Sequence, residues 1–69
     1  MEKHLKVTGT SSVSWKDAIV KTIEETSKTI QHISEIIVLN QRAKINENKI
    51  EQYYVDLDIS FIIDRNLNQ

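Results

Sequence analysis

The chain has 69 residues, nine basic and ten acidic side chains, a net charge of −1 and no cysteine. That length holds one domain. The charge balance argues against a nucleic-acid partner, which would want a basic face, and against a polybasic membrane contact, and the missing cysteines exclude disulfides and thiolate metal sites. A domain this small buries only about 60% of the surface its unfolded chain exposes, and small chains are usually stapled by disulfides, a structural metal or other subunits. His4 and His32 are isolated and form no zinc-type cluster, so oligomerisation is the staple left over. The longest apolar run, residues 36–39, is far too short to span a bilayer. Charged residues 1–6 have no apolar segment behind them, so no secretory signal is expected and the cytoplasm is the default location.

Leu5 and Val7 alternate with polar neighbours, which predicts a short half-buried strand over residues 3–8. Gly9-Thr10-Ser11-Ser12 reads as a polar connector holding the one glycine of the chain. Ser14 is a good N-cap, and Asp17 stands three residues on, where a carboxylate complements the positive helix end. The stripe Trp15, Ile19, Ile23, Ile30 and Ile33, with Thr26 in the gap, keeps one face toward a core and predicts a helix over residues 15–33. From residue 35 the pattern turns β-branched. Ala43 and Ile45 keep the parity of Ile37 and Leu39, predicting a strand over residues 35–45. Asn46-Glu47-Asn48 is a turn signal. Tyr53, Val55, Leu57, Ile59, Phe61 and Ile63 then alternate with polar residues in a last strand over residues 49–63, and residues 64–69 read as a frayed tail.

These elements predict an α+β fold of β-α-β-β order within a single domain spanning residues 1–69. The long strands form a hairpin, the first strand pairs with the last from its other side, and the antiparallel sheet has order 1-3-2 with the helix on one face. A three-residue loop with a bulge at Asn48 would put Ile37 and Leu39 on the face of Val55 and Leu57. Ile36, Val38, Tyr54 and Ile62 then fall on the other face, more apolar surface than a solvated sheet needs, and that face is expected to be a subunit interface.

The chemistry-bearing residues are few. Gly9-Thr10-Ser11 ahead of a helix resembles an anion cradle, but no second glycine or lysine completes a phosphate loop, so a turn with a cap is the favoured reading. Asp56 and Asp58 point the same way on a strand. They either bind a divalent cation such as calcium or pair with Arg42 and Lys44 across the hairpin; two carboxylates are too few for a calcium site, which favours pairing. Trp15 reads as core, and His4 and His32 as surface or rim residues. No nucleophile, base and orienting group stand together, so no catalytic residue is expected and the chain reads as a non-enzyme.

Val7-Thr8-Gly9-Thr10-Ser11 followed by Ser14-Trp15-Lys16-Asp17-Ala18-Ile19 resembles the opening of the dodecins, a Gly-Thr-Ser followed by a Ser-Trp-Glu-Asp-Ala helix start. Ser27-Lys28-Thr29-Ile30 is similar to that family's helix end, and Asn48-Lys49-Ile50 stands where dodecins carry Gly-Lys-Ile in the hairpin turn. Tyr53 and Ile59-Ser60-Phe61 resemble the closing strand, and the likeness runs over residues 4–63. The resemblance implies a homo-oligomer, a hollow dodecameric shell, that binds flavin (FMN, riboflavin or FAD) for storage or sequestration. It implies a ligand-binding set of Glu35, Gln41, Arg42 and Tyr54. Glu35 stands where flavin-binding dodecins stack a tryptophan on the isoalloxazine ring, and Tyr54 where a glutamine contacts the flavin. Arg42 matches an arginine that meets the ligand phosphate, with Gln41 as its polar neighbour. A glutamate offers no π-face, so the chain resembles a member without the stacking tryptophan, and flavin binding is expected to be weak.

Overall fold

The structure, a computed structural model, describes residues 2–63. Its elements run β1 (Glu2–Ser11), α1 (Trp15–Thr26), β2 (Ile33–Asn46) and β3 (Lys49–Ile62). The strands form one sheet of order β1-β3-β2, and both neighbouring pairs are antiparallel, as the sequence predicts. The expected tail at residues 64–69 lies outside the described residues.

β3 is the spine. Its alternation puts Val55, Leu57 and Ile59 on the helix side, where each is fully buried together with Ala18 of α1. Val7, Trp15, Ile19, Ile33 and Ile36 pack around that cluster. α1 lies along β1 and β3 and makes no comparable seam with β2. Its close approach to β1 depends on Gly9, which is buried opposite Val55. A Cβ at Gly9 would overlap the Thr22 hydroxyl and lie 3.1 Å from the Ala18 carbonyl oxygen. Gly9 therefore belongs to the strand and not, as expected, to a connector: β1 runs on to Ser11 because the helix needs a strand without a side chain at this point.

The helix start is self-satisfied. Ser14 Oγ accepts the Asp17 N–H at 2.9 Å, and Ser11 Oγ accepts the Val13 N–H at 2.9 Å while donating to Asp17 Oδ2 at 2.6 Å. The Ser11 bond, then Lys21, holds the Asp17 carboxyl below its usual range. These contacts occupy the helix end where an anion would sit.

α1 ends at Thr26, short of the expected residue 33. Ser27 Oγ donates to the Glu24 carbonyl at 2.8 Å and Thr29 Oγ1 to that of Thr26 at 3.4 Å, so hydroxyls compete for the helix's own acceptors. His32, at φ 58°, turns the chain into β2. Ile33, expected on the helix, starts β2 and still reaches the core.

The hairpin turn has two residues, not three: Glu47 and Asn48 both take positive φ, 53° and 63°, as a type I′ turn demands. Three register irregularities follow in the β2–β3 ladder, leaving Glu51, Leu39 and Ser34 without partners. The one at Leu39 reverses the face of residues 35–38, up to the next break at Ser34. Ala43 faces Tyr53 as the expected parity requires, but beyond Leu39 it is Val38 and Ile36 that face Leu57 and Ile59. The expectation that placed Ile36 and Val38 on the outer face and Ile37 on the core face is thus reversed, because a bulge changes which residues share a side. Ile37 lies opposite Asp58 on the outer face, 48% exposed.

Gly9→Ala should cost about 1–3 kcal/mol through overpacking. Thr22→Ala in the same chain should recover only part of it, since the Ala18 carbonyl remains close. Urea unfolding midpoints of the two variants measure both effects.

Candidate functional site

The outer sheet face carries Thr8 and Thr10 from β1, Gln52, Tyr54, Asp56 and Asp58 from β3, and Asn40, Arg42 and Lys44 from β2. Cross-strand pairing brings Arg42 directly opposite Tyr54 and sets Asp56 beside Asn40 on one flank and Thr8 on the other. Arg42 grips Asp56 with two bonds, Nε to Oδ2 at 3.0 Å and Nη2 to Oδ1 at 3.1 Å. Thr8 Oγ1 donates to the same Oδ1 at 2.8 Å. The Arg42 guanidinium also lies over the Tyr54 ring, 5.2 Å from its centroid, a cation–π geometry. The Arg42 bond and then Thr8 hold the Asp56 carboxyl below its usual range, and Asp56 in turn raises the Arg42 guanidinium.

Asp58 has different surroundings. Its Oδ1 is buried without a hydrogen-bond partner and lies 3.6 Å from His4 Nδ1. His4 Nδ1 is also 3.1 Å from Ser60 Oγ. Of the expected basic partners, Arg42 takes Asp56, whereas Lys44 reaches Glu51 at 3.7 Å. Among the described residues no group of three or more histidine, aspartate or glutamate side chains is placed to hold a metal.

The four residues read as a ligand set are not all together in one protomer. Arg42 and Tyr54 touch. Glu35 faces Ser60, six residues along β3 from Tyr54, or about 20 Å at the usual strand rise. Gln41 faces Val55 and so points to the helix side. Two participants escaped the sequence reading. Thr8 enters through the β1–β3 register, which no local motif encodes. Trp15, read as core, packs edge-on against Tyr53, with centroids 4.9 Å apart and planes at 82°; its Nε1–H also donates to the Arg42 carbonyl at 2.9 Å.

The dodecin family model matches residues 2–64. The chain belongs to the dodecin family. Solved dodecins share the fold over nearly the whole subunit. A tryptophan-to-phenylalanine variant of the Thermus thermophilus dodecin is 26% identical, with a TM-score of 0.89 over 94% of this chain and 97% of that one. The Streptomyces davaonensis dodecin is 23% identical, with a TM-score of 0.88 over 94% and 96% of the two chains. A calcium-chelating dodecin from Mycobacterium tuberculosis is 24% identical, with a TM-score of 0.80 over 94% and 93%. No curated protein matches the chain. Membership makes this a small ligand-binding protein that works as an oligomer. No helix among the described residues is long and apolar enough to cross a membrane.

The Asp56 ion pair has a signed pH dependence. A carboxyl whose folded pKa is depressed stabilises the fold fully above its ordinary range, and that contribution is lost as pH falls through the lowered value. Acidification from about pH 5 to about pH 2 should therefore reduce the stability of the wild-type chain more than that of Asp56→Asn. Urea midpoints across that window test it; equal acid sensitivity would mean that the pair contributes nothing to folding.

Proposed function

We propose that the protein is a non-catalytic, closed homo-oligomeric shell, a dodecamer, which holds a small aromatic or anionic ligand against Arg42 and Tyr54 and has low affinity for flavin. The observation that carries this is the Arg42–Tyr54–Asp56 cluster on the outer sheet face. Arg42 there gives Nε and Nη2 to Asp56 and lies on the Tyr54 ring, which leaves Nη1 to meet a ligand anion.

The residues fit a stacked flavin poorly. Glu35, at the position of the family's stacking tryptophan, is an exposed carboxylate with no ring to offer. The Tyr54 ring already carries Arg42 on one face, and the Trp15–Tyr53 pair is packed on the helix side of the sheet. A carboxylate at the stacking position also repels a flavin phosphate. Losing one stacking ring, about 1–3 kcal/mol, lowers affinity by roughly one to two orders of magnitude. The Asp56 and Asp58 cation reading has weaker support, because Arg42 neutralises Asp56 and leaves Asp58 without a second carboxylate ligand. Storage in a cytoplasmic shell remains the physiological form of the proposal.

Light scattering should give a mass near twelve times the 8.0 kDa chain. Riboflavin and FMN fluorescence should be quenched only weakly on titration with the native protein, and Glu35→Trp should raise affinity about 10- to 100-fold. Tight quenching by the native protein would overturn the low-affinity reading, and no gain in Glu35→Trp would show that the site has lost its shape as well as its ring. Calorimetry with calcium tests the cation reading: heat that disappears in Asp58→Asn would support it against the one proposed.

A further inference from the structure

Arg42 occupies the middle of a short stretch, residues 40–44, paired with residues 52–56 of β3. Both ends of that stretch are register breaks. β2 has an extra residue at Leu39, and β3 has one at Glu51. Each break leaves a residue unpaired and interrupts the ladder. β2 is also an edge strand, with only β3 beside it. A one-residue slip moves every side chain of a strand to the other face, and here it would take Arg42 away from both Tyr54 and Asp56. The ligand-facing cluster thus depends on the register of five residues that the ladder alone holds weakly.

One side chain outside the hairpin grips this stretch. The Trp15 Nε1–H donates to the Arg42 carbonyl oxygen at 2.9 Å. The same indole rests edge-on against Tyr53, which pairs with Ala43, the next residue along β2. Among the described residues this is the one side-chain hydrogen bond that α1 makes to β2. It lands on the residue whose side chain leaves from the opposite face. The bond runs from the first residue of the helix, whose position is fixed by the Ser14 cap and the Ser11–Asp17 bond.

We propose that Trp15 is a positioning residue for the ligand-facing cluster: by holding the Arg42 carbonyl it sets the register of residues 40–44 and so places the Arg42 guanidinium over Tyr54 and against Asp56. Its place in ligand binding rests on the function proposed above; the coupling between Trp15 and Arg42 does not, and is read without ligand. The indole acts through the main chain, from the helix side of the sheet.

The test uses the full assembled chain, labelled at arginine, and follows the Arg42 Nε–H by NMR. In the native protein this proton should show an upfield shift from the Tyr54 ring and slow exchange with solvent because Asp56 holds it; Tyr54→Leu and Asp56→Asn assign the two signatures. Trp15→Phe keeps a ring against Tyr53 but has no N–H. It should abolish the ring shift and speed Nε–H exchange roughly tenfold or more, the loss expected of a charge-assisted bond. The Asp17 amide, held by Ser14 Oγ, should keep its native exchange rate, since the helix start itself is untouched. Native Arg42 signatures in Trp15→Phe would overturn the proposal, and so would an equal rise in Asp17 exchange, which would mark general loosening. If Trp15→Phe fails to assemble, benzothienylalanine in place of Trp15 preserves the shape and removes only the N–H, and the same two outcomes decide. A native protein that shows this coupling but binds no flavin, nucleotide or inorganic phosphate would sink the ligand reading and leave the positioning role standing.

Discussion

A twelve-residue helix cannot cover a sheet built on fourteen-residue strands. At the usual rises α1 is about 18 Å long, whereas β2 and β3 each reach about 48 Å, and the described chain is accordingly drawn out to 57 × 19 × 12 Å. Everything else in the subunit follows from this mismatch. The helix can seal a core over only two strands, and does so by sinking onto β1 at Gly9, where a side chain of any size would hold it off. The result, among the described residues, is four fully buried apolar side chains, Ala18, Val55, Leu57 and Ile59. That is little for a free domain, whose burial must offset about 1–2 kcal/mol of backbone entropy per ordered residue.

The strand the helix covers least is β2: Ile33 and Ile36 reach the core, but Val38 is 41% and Ile45 57% exposed, with Ile37 on the outer face. Exposed apolar surface of this kind marks interaction sites in general, and the family is oligomeric. The same strand carries Arg42. Its freedom from the helix, with its two flanking register breaks, makes it the part of the sheet most in need of an external hold, and the Trp15–Arg42 bond supplies one from the helix start. Packing on one face and chemistry on the other are in this way tied through a single backbone carbonyl.

How legible this was in the sequence varied with how local the cause is. β3 alternates so regularly between Tyr53 and Phe61 that its buried face, and hence the sheet order, could be read directly. α1 began where Ser14 and Asp17 say it should, but the apolar spacing of Ile30 and Ile33 continued past its true end, because the hydroxyls of Ser27 and Thr29 and the turn at His32 are weak signals in a string. The face of β2 was misread before Leu39, since one unpaired residue reverses parity and nothing in Val38-Leu39-Asn40 announces it. At the site, the pairing of Arg42 with Asp56 was legible as opposite charges across a hairpin, while Thr8 and Trp15 reach it through tertiary register and could not be. Lys44 was paired with the wrong neighbourhood for the same reason: the break at Glu51 brings that carboxylate within its reach.

The central claim is that this subunit does not close on itself, so folding and assembly are one event. Its most direct measurement is a dilution series in mild urea in which far-ultraviolet circular dichroism and mass are recorded on the same samples. Secondary structure and oligomer mass should fall together, with a midpoint that shifts to higher urea as total protein rises, as mass action requires. A native spectrum persisting at the 8.0 kDa mass of a single chain, with a midpoint independent of concentration, would contradict the account.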